Sequence, residues 1–308
     1  MNIQKKKLNI TKARRRVQIR SALLLTLGVC FAMSVYRAMI TLNGTGVIWP
    51  SHVPGLLLEI LVTLLVFGGG AYLGLCVLDG NQTKMLPRGV LSRAQVLWLS
   101  FLGVLLAAPM TLGAELLDKI MHPQWSAAQP FGLAVSAPGV FLLTALKSAL
   151  LVPVLEELFF RGYLLGALER FGKWRAALIS ALCFAAVHMG GKGGSEYVCV
   201  MYAAMGLLLA ALRLRMTSLF APILVHGCYN LTLIMLSRLG IGWFFENLTL
   251  ISCVLRLGLC TAFVYCLRRA WQAHGAHEQI RPMEGLTKKE MSLVIAAGVL
   301  LLAAGILG

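Results

Sequence analysis

The chain has 308 residues, of which 58% are hydrophobic and only 13% are charged. Soluble domains carry about 25% charged residues, so water cannot be the solvent for most of this protein's surface. The net charge of +16 comes from Lys and Arg clustered before the first apolar run and in segments between later runs. This is the positive-inside pattern of membrane proteins, and it excludes nucleic acid as a partner.

Apolar runs long enough to cross a membrane recur along the chain, since a helical span needs about 20 such residues. The predicted spans are 21–42, 54–78, 94–117, 138–168, 174–189, 197–212, 218–239, 248–267 and 291–307. The last run is short, so eight spans followed by a terminal hydrophobic helix is the alternative. The predicted fold class is therefore all-α, a polytopic transmembrane helical bundle of eight or nine spans.

The distribution of basic residues also predicts the orientation. Residues 1–20 form a basic segment, and the loops that follow every second span are richer in Lys and Arg than the others. We therefore expect a multi-pass protein of the cell membrane whose N-terminus is cytoplasmic. All eight Cys lie within apolar runs and none forms a CxxC pair, which favours small apolar packing residues over a disulfide or zinc framework.

Ionisable groups deep in a bilayer are costly and are functional candidates by default. Here they concentrate in three segments, which read LEELFFR at 155–161, FAAVH at 184–188 and HGCYN at 226–230. By residue count, each segment lies about 16–22 Å from the cytoplasmic end of its span. We therefore expect three different spans to bring polar groups to one level of the membrane.

Helical spacing assigns partners within these segments. Glu157 and Arg161 are four residues apart, so they share a helix face and can pair. Glu156 lies about 100° around the helix from Glu157, which turns it away from that partner and toward a cavity. His226 and Asn230 are also four apart, so both can point at one site.

Residue type then indicates the chemistry. A carboxylate held away from bulk water suits a general base, so we expect Glu156 to deprotonate a water molecule that His188 shares or orients. The attacked carbonyl develops negative charge, for which His226 and the Asn230 amide are suitable donors. The reaction class is acyl transfer to water, as in peptide hydrolysis.

The three segments, written EExxxR, FxxxH and HxxxN, together resemble the signature of the CAAX-processing and bacteriocin-processing membrane protease family, which includes the type II CAAX prenyl endopeptidases. The resemblance covers about residues 138–236 and implies the same four catalytic roles. It implies that Glu157 and Arg161 support the site and that cleavage occurs near the cytoplasmic side. Phe184 is interpreted as a packing residue beside His188. The resemblance implies a peptide or protein substrate and leaves open whether that substrate is prenylated or lipid-associated.

A metal cofactor stays open at this point. Glu156, His188 and His226 offer the one carboxylate and two imidazoles of a catalytic Zn²⁺ site, but the motif set also fits a metal-free glutamate mechanism, which we favour.

The predicted organisation is a basic N-terminal segment (1–20), three spans (21–130), a catalytic core (131–240) and C-terminal spans (241–308). Two other functions compete with an intramembrane endopeptidase. A non-enzymatic immunity or scaffold protein would share the fold, although it has no need of four polar groups at one depth. A transporter would use buried acid and His groups as a proton relay, but paired broken helices in two halves are not evident.

Overall fold

A computed structural model describes residues 2–42, 53–78, 86–87, 89–121, 138–188, 196–239 and 250–272. These residues form helices and no β-sheet, which confirms the predicted fold class. The helices are α1 (Asn2–Leu42), α2 (53–78), α3 (Arg93–Met121), α4 (Pro138–Leu168), α5 (Lys173–Ala186), α6 (Glu196–Met216), α7 (Phe220–Arg238) and α8 (Leu250–Gln272).

Seven of these helices are long and apolar enough to cross a membrane, so the chain is an integral multi-pass membrane protein. The eighth, α5, has 14 residues and a length of about 21 Å, less than the roughly 30 Å hydrocarbon layer. The predicted span 174–189 is therefore corrected to a shorter helix that ends at Ala186. The predicted span 291–307 lies outside the described residues.

Helices α2 and α4 are interrupted by π-helical segments. In α2 these are Leu64–Gly68 and Leu73–Leu78, and in α4 they are Lys147–Leu151 and Leu158–Leu164. The first π segment of α4 directly precedes Val152 and Pro153, and the missing N–H and bulky ring of Pro153 disfavour regular α-helical hydrogen bonding in the preceding turn. The short α-helical piece Val152–Glu157 lies between the two π segments of α4 and carries the adjacent carboxylates Glu156 and Glu157. Because π turns are rare and often occur at functional sites, this position favours a functional role for the two carboxylates.

Edge-on aromatic rings join α2, α4 and α5 in the first half of the core. Phe67 packs on Phe159 at 6.2 Å between ring centroids, Phe159 on Phe160 at 5.1 Å, and Phe160 on Phe184 at 5.5 Å. All four side chains are at most 1% exposed. A second apolar cluster joins α3, α6, α7 and α8. Leucines on the outer faces are exposed, as expected of helices that meet lipid.

The basic segments predicted to share one side of the membrane lie together at one end of the bundle. The contacts that join them are Gly89 N–H to Thr217 O (3.0 Å), Arg213 to Glu169 (3.1 Å) and Arg215 Nη2 to Trp271 O (3.0 Å). The residues before α3, the connection after α4, the end of α6 and the last turn of α8 thus lie at the same end. This arrangement agrees with the alternation of basic and non-basic loops in the sequence.

Two further ion pairs tie helices within the bundle. Lys147 Nζ lies 2.6 Å from a carboxylate oxygen of Glu59, which joins α4 to α2. Arg256 Nη1 lies 2.8 Å from a carboxylate oxygen of Glu115, which joins α8 to α3. Because these charges are matched in pairs, their cost in an apolar environment is reduced.

The connection from α4 to α5 determines the position of the FxxxH motif, Phe184 to His188. It passes through a 3₁₀ turn, Glu169–Phe171, and then Gly172 at φ 106°. Residues with a Cβ rarely adopt this backbone conformation, so glycine permits the reversal. The reversal returns the chain along α4, and α5 places Phe184 beside Phe160.

Candidate active site

The two adjacent carboxylates of α4 are both buried. Glu156 is 5% exposed and Glu157 is 0% exposed. They occupy the last two positions of the α-helical piece Val152–Glu157, immediately before the second π segment of α4. Arg161, which is also 0% exposed, lies on the same helix and pairs with Glu157.

Glu157 is the junction of a buried polar network. Its Oε1 accepts a hydrogen bond from Arg161 Nη1 at 2.8 Å, which confirms the predicted pair. The same oxygen lies 3.0 Å from Nδ1 of His226 on α7. Arg161 Nη2 in turn donates to the Gly206 carbonyl of α6 at 3.0 Å. Glu157 and Arg161 therefore link α4 with α6 and α7, a connection that spacing within one helix did not predict.

The contact with Glu157 fixes the orientation of His226. A carboxylate oxygen accepts, so the proton of this hydrogen bond is on Nδ1. The opposite ring nitrogen, Nε2, is then directed away from Glu157. His226 can donate from Nε2 when the ring carries both protons, and the Glu157 carboxylate compensates the positive charge of that form.

His188 lies two residues beyond the end of α5, in a turn. Its backbone N–H donates to the Ala185 carbonyl oxygen at 2.9 Å. Its Nδ1 lies 2.7 Å from the carbonyl oxygen of Phe184. A carbonyl can only accept, so Nδ1 carries the proton and Nε2 is the nitrogen able to accept one. The ring also stacks on Tyr202 of α6, with 4.1 Å between centroids and 20° between planes.

Phe184 contacts both imidazoles. Its centroid is 4.7 Å from that of His188 and 5.8 Å from that of His226. The guanidinium carbon of Arg161 lies 4.3 Å from the Phe184 centroid, within the range of a cation–π contact. Phe184, predicted to be a packing residue, thus separates the two histidines and shields the buried ion pair of Glu157 and Arg161.

Asn230 meets α4 at a different position. Its amide Nδ2 donates to the Ser148 carbonyl at 2.8 Å, in the first π segment of α4. Because a carboxamide carries two N–H groups, this bond leaves the second for another acceptor. His226 and Asn230 both contact α4, which agrees with the prediction that they share one face of their helix.

Three helices therefore gather most of the predicted residues into one cluster. Glu157, Arg161, Phe184, His188 and His226 are joined by direct contacts. Glu156 is buried next to this cluster on α4, and Asn230 is held against α4 about two turns earlier. Their catalytic roles stay predictions.

Sequence reasoning missed Tyr202. An aromatic residue in an apolar span gives no signal by itself. Tyr202 and Gly206 are four residues apart, so they lie on one face of α6. In the structure both positions of that face meet the site, Tyr202 through His188 and Gly206 through Arg161.

The metal site considered from sequence does not fit this arrangement. Within the described ranges, no three His, Cys, Asp or Glu side chains are grouped closely enough to hold a metal ion. Glu156, His188 and His226 thus form no such group, and His226 directs Nδ1 to Glu157. We derive no catalytic step through a metal.

Gly227 allows the close approach that brings His226 to Glu157. A Cβ at this position would lie 2.5 Å from the Ala149 carbonyl oxygen, a distance that requires backbone movement. Gly227→Ala is therefore expected to push α7 from α4 and to lower kcat by about 10². We expect Gly258→Ala on α8, where a Cβ meets open space, to retain activity. Equal kcat for Gly227→Ala and the unsubstituted protein in a peptide cleavage assay contradicts the expectation.

Comparison with known protein families identifies the segment that carries the site. Residues 138–232 match the family model described as Type II CAAX prenyl endopeptidase Rce1-like. The match begins at the start of α4 and ends within α7, so it contains all seven predicted site residues and Tyr202. This confirms the resemblance inferred from the three motifs. No curated protein and no solved structure matched the chain.

Proposed function

We propose that this protein is an intramembrane endopeptidase that cleaves a membrane-associated peptide or protein. The observation that carries the proposal is the convergence of α4, the end of α5 and α7 on one buried cluster. In that cluster Glu157 contacts His226, and Phe184 touches both imidazoles. The Rce1-like domain supports the same reaction class.

In the proposed reaction, Glu156 removes a proton from water. Its burial on α4 reduces competition from bulk solvent, which favours a carboxylate as general base. His188 orients the water through Nε2, because its Nδ1 proton is committed to the Phe184 carbonyl. The hydroxide attacks the peptide carbonyl carbon and the carbonyl oxygen becomes an oxyanion.

His226 and Asn230 stabilise that oxyanion. His226 donates from Nε2 while Glu157 accepts from Nδ1, and Asn230 donates its second amide N–H while the first is bonded to Ser148. Each such donor is worth on the order of 10²–10³ in rate. Collapse of the intermediate breaks the C–N bond as Glu156 returns its proton to the leaving amine. Glu157 and Arg161 hold His226 in place and do not touch the reacting atoms.

The proposed setting is the cell membrane, with the N-terminus in the cytoplasm and the substrate entering from lipid or from the cytoplasmic side. Four basic segments meet at one end of the bundle, which supports a single cytoplasmic face by the positive-inside rule. The proposed reaction requires a peptide bond. It does not require a prenyl group, so prenylated and unmodified substrates are separate arms of the test.

Mass spectrometry of membrane peptides tests the function directly. Cells producing the unsubstituted protein are expected to contain new peptide termini that are missing from cells producing Glu156→Ala. The purified protein is then assayed on matched prenylated and unprenylated peptides bearing the identified cleavage sequence. Identical termini in both cell populations, with no cleavage by the purified protein, would support the non-enzymatic scaffold instead.

A further inference from the structure

We infer that Tyr202 is a positioning residue that holds the His188 ring at the angle needed to orient the attacking water. This inference rests on the proposed function and extends it to a residue outside the three motifs. The carrying observation is the nearly parallel stack of the two rings, with 4.1 Å between centroids and 20° between planes.

His188 needs such support because its backbone is not part of a helix. It follows the last residue of α5 by two positions and lies in a turn. The hydrogen bond from Nδ1 to the Phe184 carbonyl holds one edge of the ring. A tilt of the ring would move Nε2 sideways, and a flat surface against the ring face opposes that tilt.

Tyr202 supplies that surface from a different helix, and α6 is itself fixed at this level. Gly206, one turn further along α6, accepts from Arg161 at 3.0 Å. A Cβ at Gly206 would lie 2.9 Å from the Ala181 Cα of α5, so the two backbones are in close contact there. The Tyr202 ring is thus carried by a helix that packs closely against α5.

The contacts of Phe184 with Tyr202 and His188 indicate why we do not expect an aliphatic residue to replace Tyr202. Phe184 lies 6.2 Å from the Tyr202 centroid at an angle of 65°, and 4.7 Å from the His188 centroid. His188 is therefore in contact with two rings at different angles, and both contacts favour the observed orientation. Aromatic pairs of this kind are favourable beyond the area they bury. A leucine would fill part of the volume without a flat surface.

The test uses the full chain in detergent and a quenched fluorescent peptide carrying the cleavage sequence found by mass spectrometry. Tyr202→Leu is expected to lower kcat by about 10–100-fold, as misplacement of a catalytic group does, while KM stays within about twofold because stacking on His188 does not bind the peptide. Tyr202→Phe keeps the ring and is expected to restore most of kcat. Tyr72→Leu, at an exposed position on α2, controls for loss of a tyrosine in a membrane helix.

Thermal unfolding separates positioning from folding. Tyr202→Leu and Tyr202→Phe are expected to unfold within a few degrees of each other; if Tyr202→Leu fails to fold, Tyr202→Met replaces it as the variant without a ring. Unchanged kcat in a folded Leu or Met variant, or equal losses for Phe and Leu, would overturn the inference.

Glu156→Gln is measured in parallel. Full activity of that variant refutes the proposed mechanism, whereas its inactivity beside a fully active Tyr202→Leu refutes the Tyr202 role alone.

Discussion

Glu156→Gln is expected to lower kcat/KM by about 10³-fold, the scale of losing a positioned general base. The substitution keeps the shape and one acceptor oxygen of a buried side chain that is 5% exposed, while it removes the group that takes the proton from water. The folded fraction and the melting temperature are expected to stay close to those of the unsubstituted protein, because the buried Arg161 keeps its pair with Glu157. The measurement is peptide cleavage by purified protein, with thermal unfolding on the same preparation.

The matched control is Glu169→Gln, at the start of the connection from α4 to α5. Glu169 pairs with Arg213 at 3.1 Å and its side chain is 29% exposed, so the same chemical change there is far from the proposed reaction and is partly solvated. Glu169→Gln is expected to cleave at the unsubstituted rate. Cleavage by Glu156→Gln at the rate of this control contradicts the assignment of Glu156 as the base.

Helical arithmetic predicted the interactions within single helices. Glu157 and Arg161 are four residues apart and pair at 2.8 Å, although a π segment begins between them. His226 and Asn230 are also four residues apart, and both lie on the face of α7 that contacts α4. These predictions succeed because the rise and rotation of a helix are fixed by backbone hydrogen bonds and change little with the surroundings.

Contacts between helices could not be derived in the same way. The approach of His226 to Glu157, and of Asn230 to the Ser148 carbonyl, depends on the rotation and depth of α7 relative to α4. Those variables are set by packing at small residues such as Gly227, and many rotations satisfy the same hydropathy pattern. The sequence therefore indicated which helices meet, and left open which atoms do.

The length of α5 shows another limit. An apolar run continues past Ala186, so composition alone predicted a span to 189. The helix ends earlier, and His188 is placed in a turn by local hydrogen bonds. Polar chemistry and backbone irregularity occur together at this point, as they do at the π segments flanking Glu156 and Glu157. Departures from regular helix are tolerated in a membrane where protein covers the backbone.

Arg161→Leu is expected to be the most destabilising single substitution in the site, by about 3–5 kcal/mol, because it leaves the buried Glu157 without its main counter-charge. Glu157 and Arg161 are both 0% exposed, so water cannot replace the lost partner. The expected result is a melting temperature lower by on the order of 10 °C, with a reduced yield of folded protein in detergent.

Two further variants distinguish charge imbalance from lost packing. Glu157→Gln combined with Arg161→Leu removes both charges and still offers His226 an acceptor, so we expect it to recover most of the stability without the activity. Arg213→Leu leaves behind Glu169, whose side chain is 29% exposed and can be hydrated, so its effect is expected to be smaller than that of Arg161→Leu. If the double variant unfolds at the same low temperature as Arg161→Leu, lost packing explains the effect, and the balance of charge around Glu157 does not.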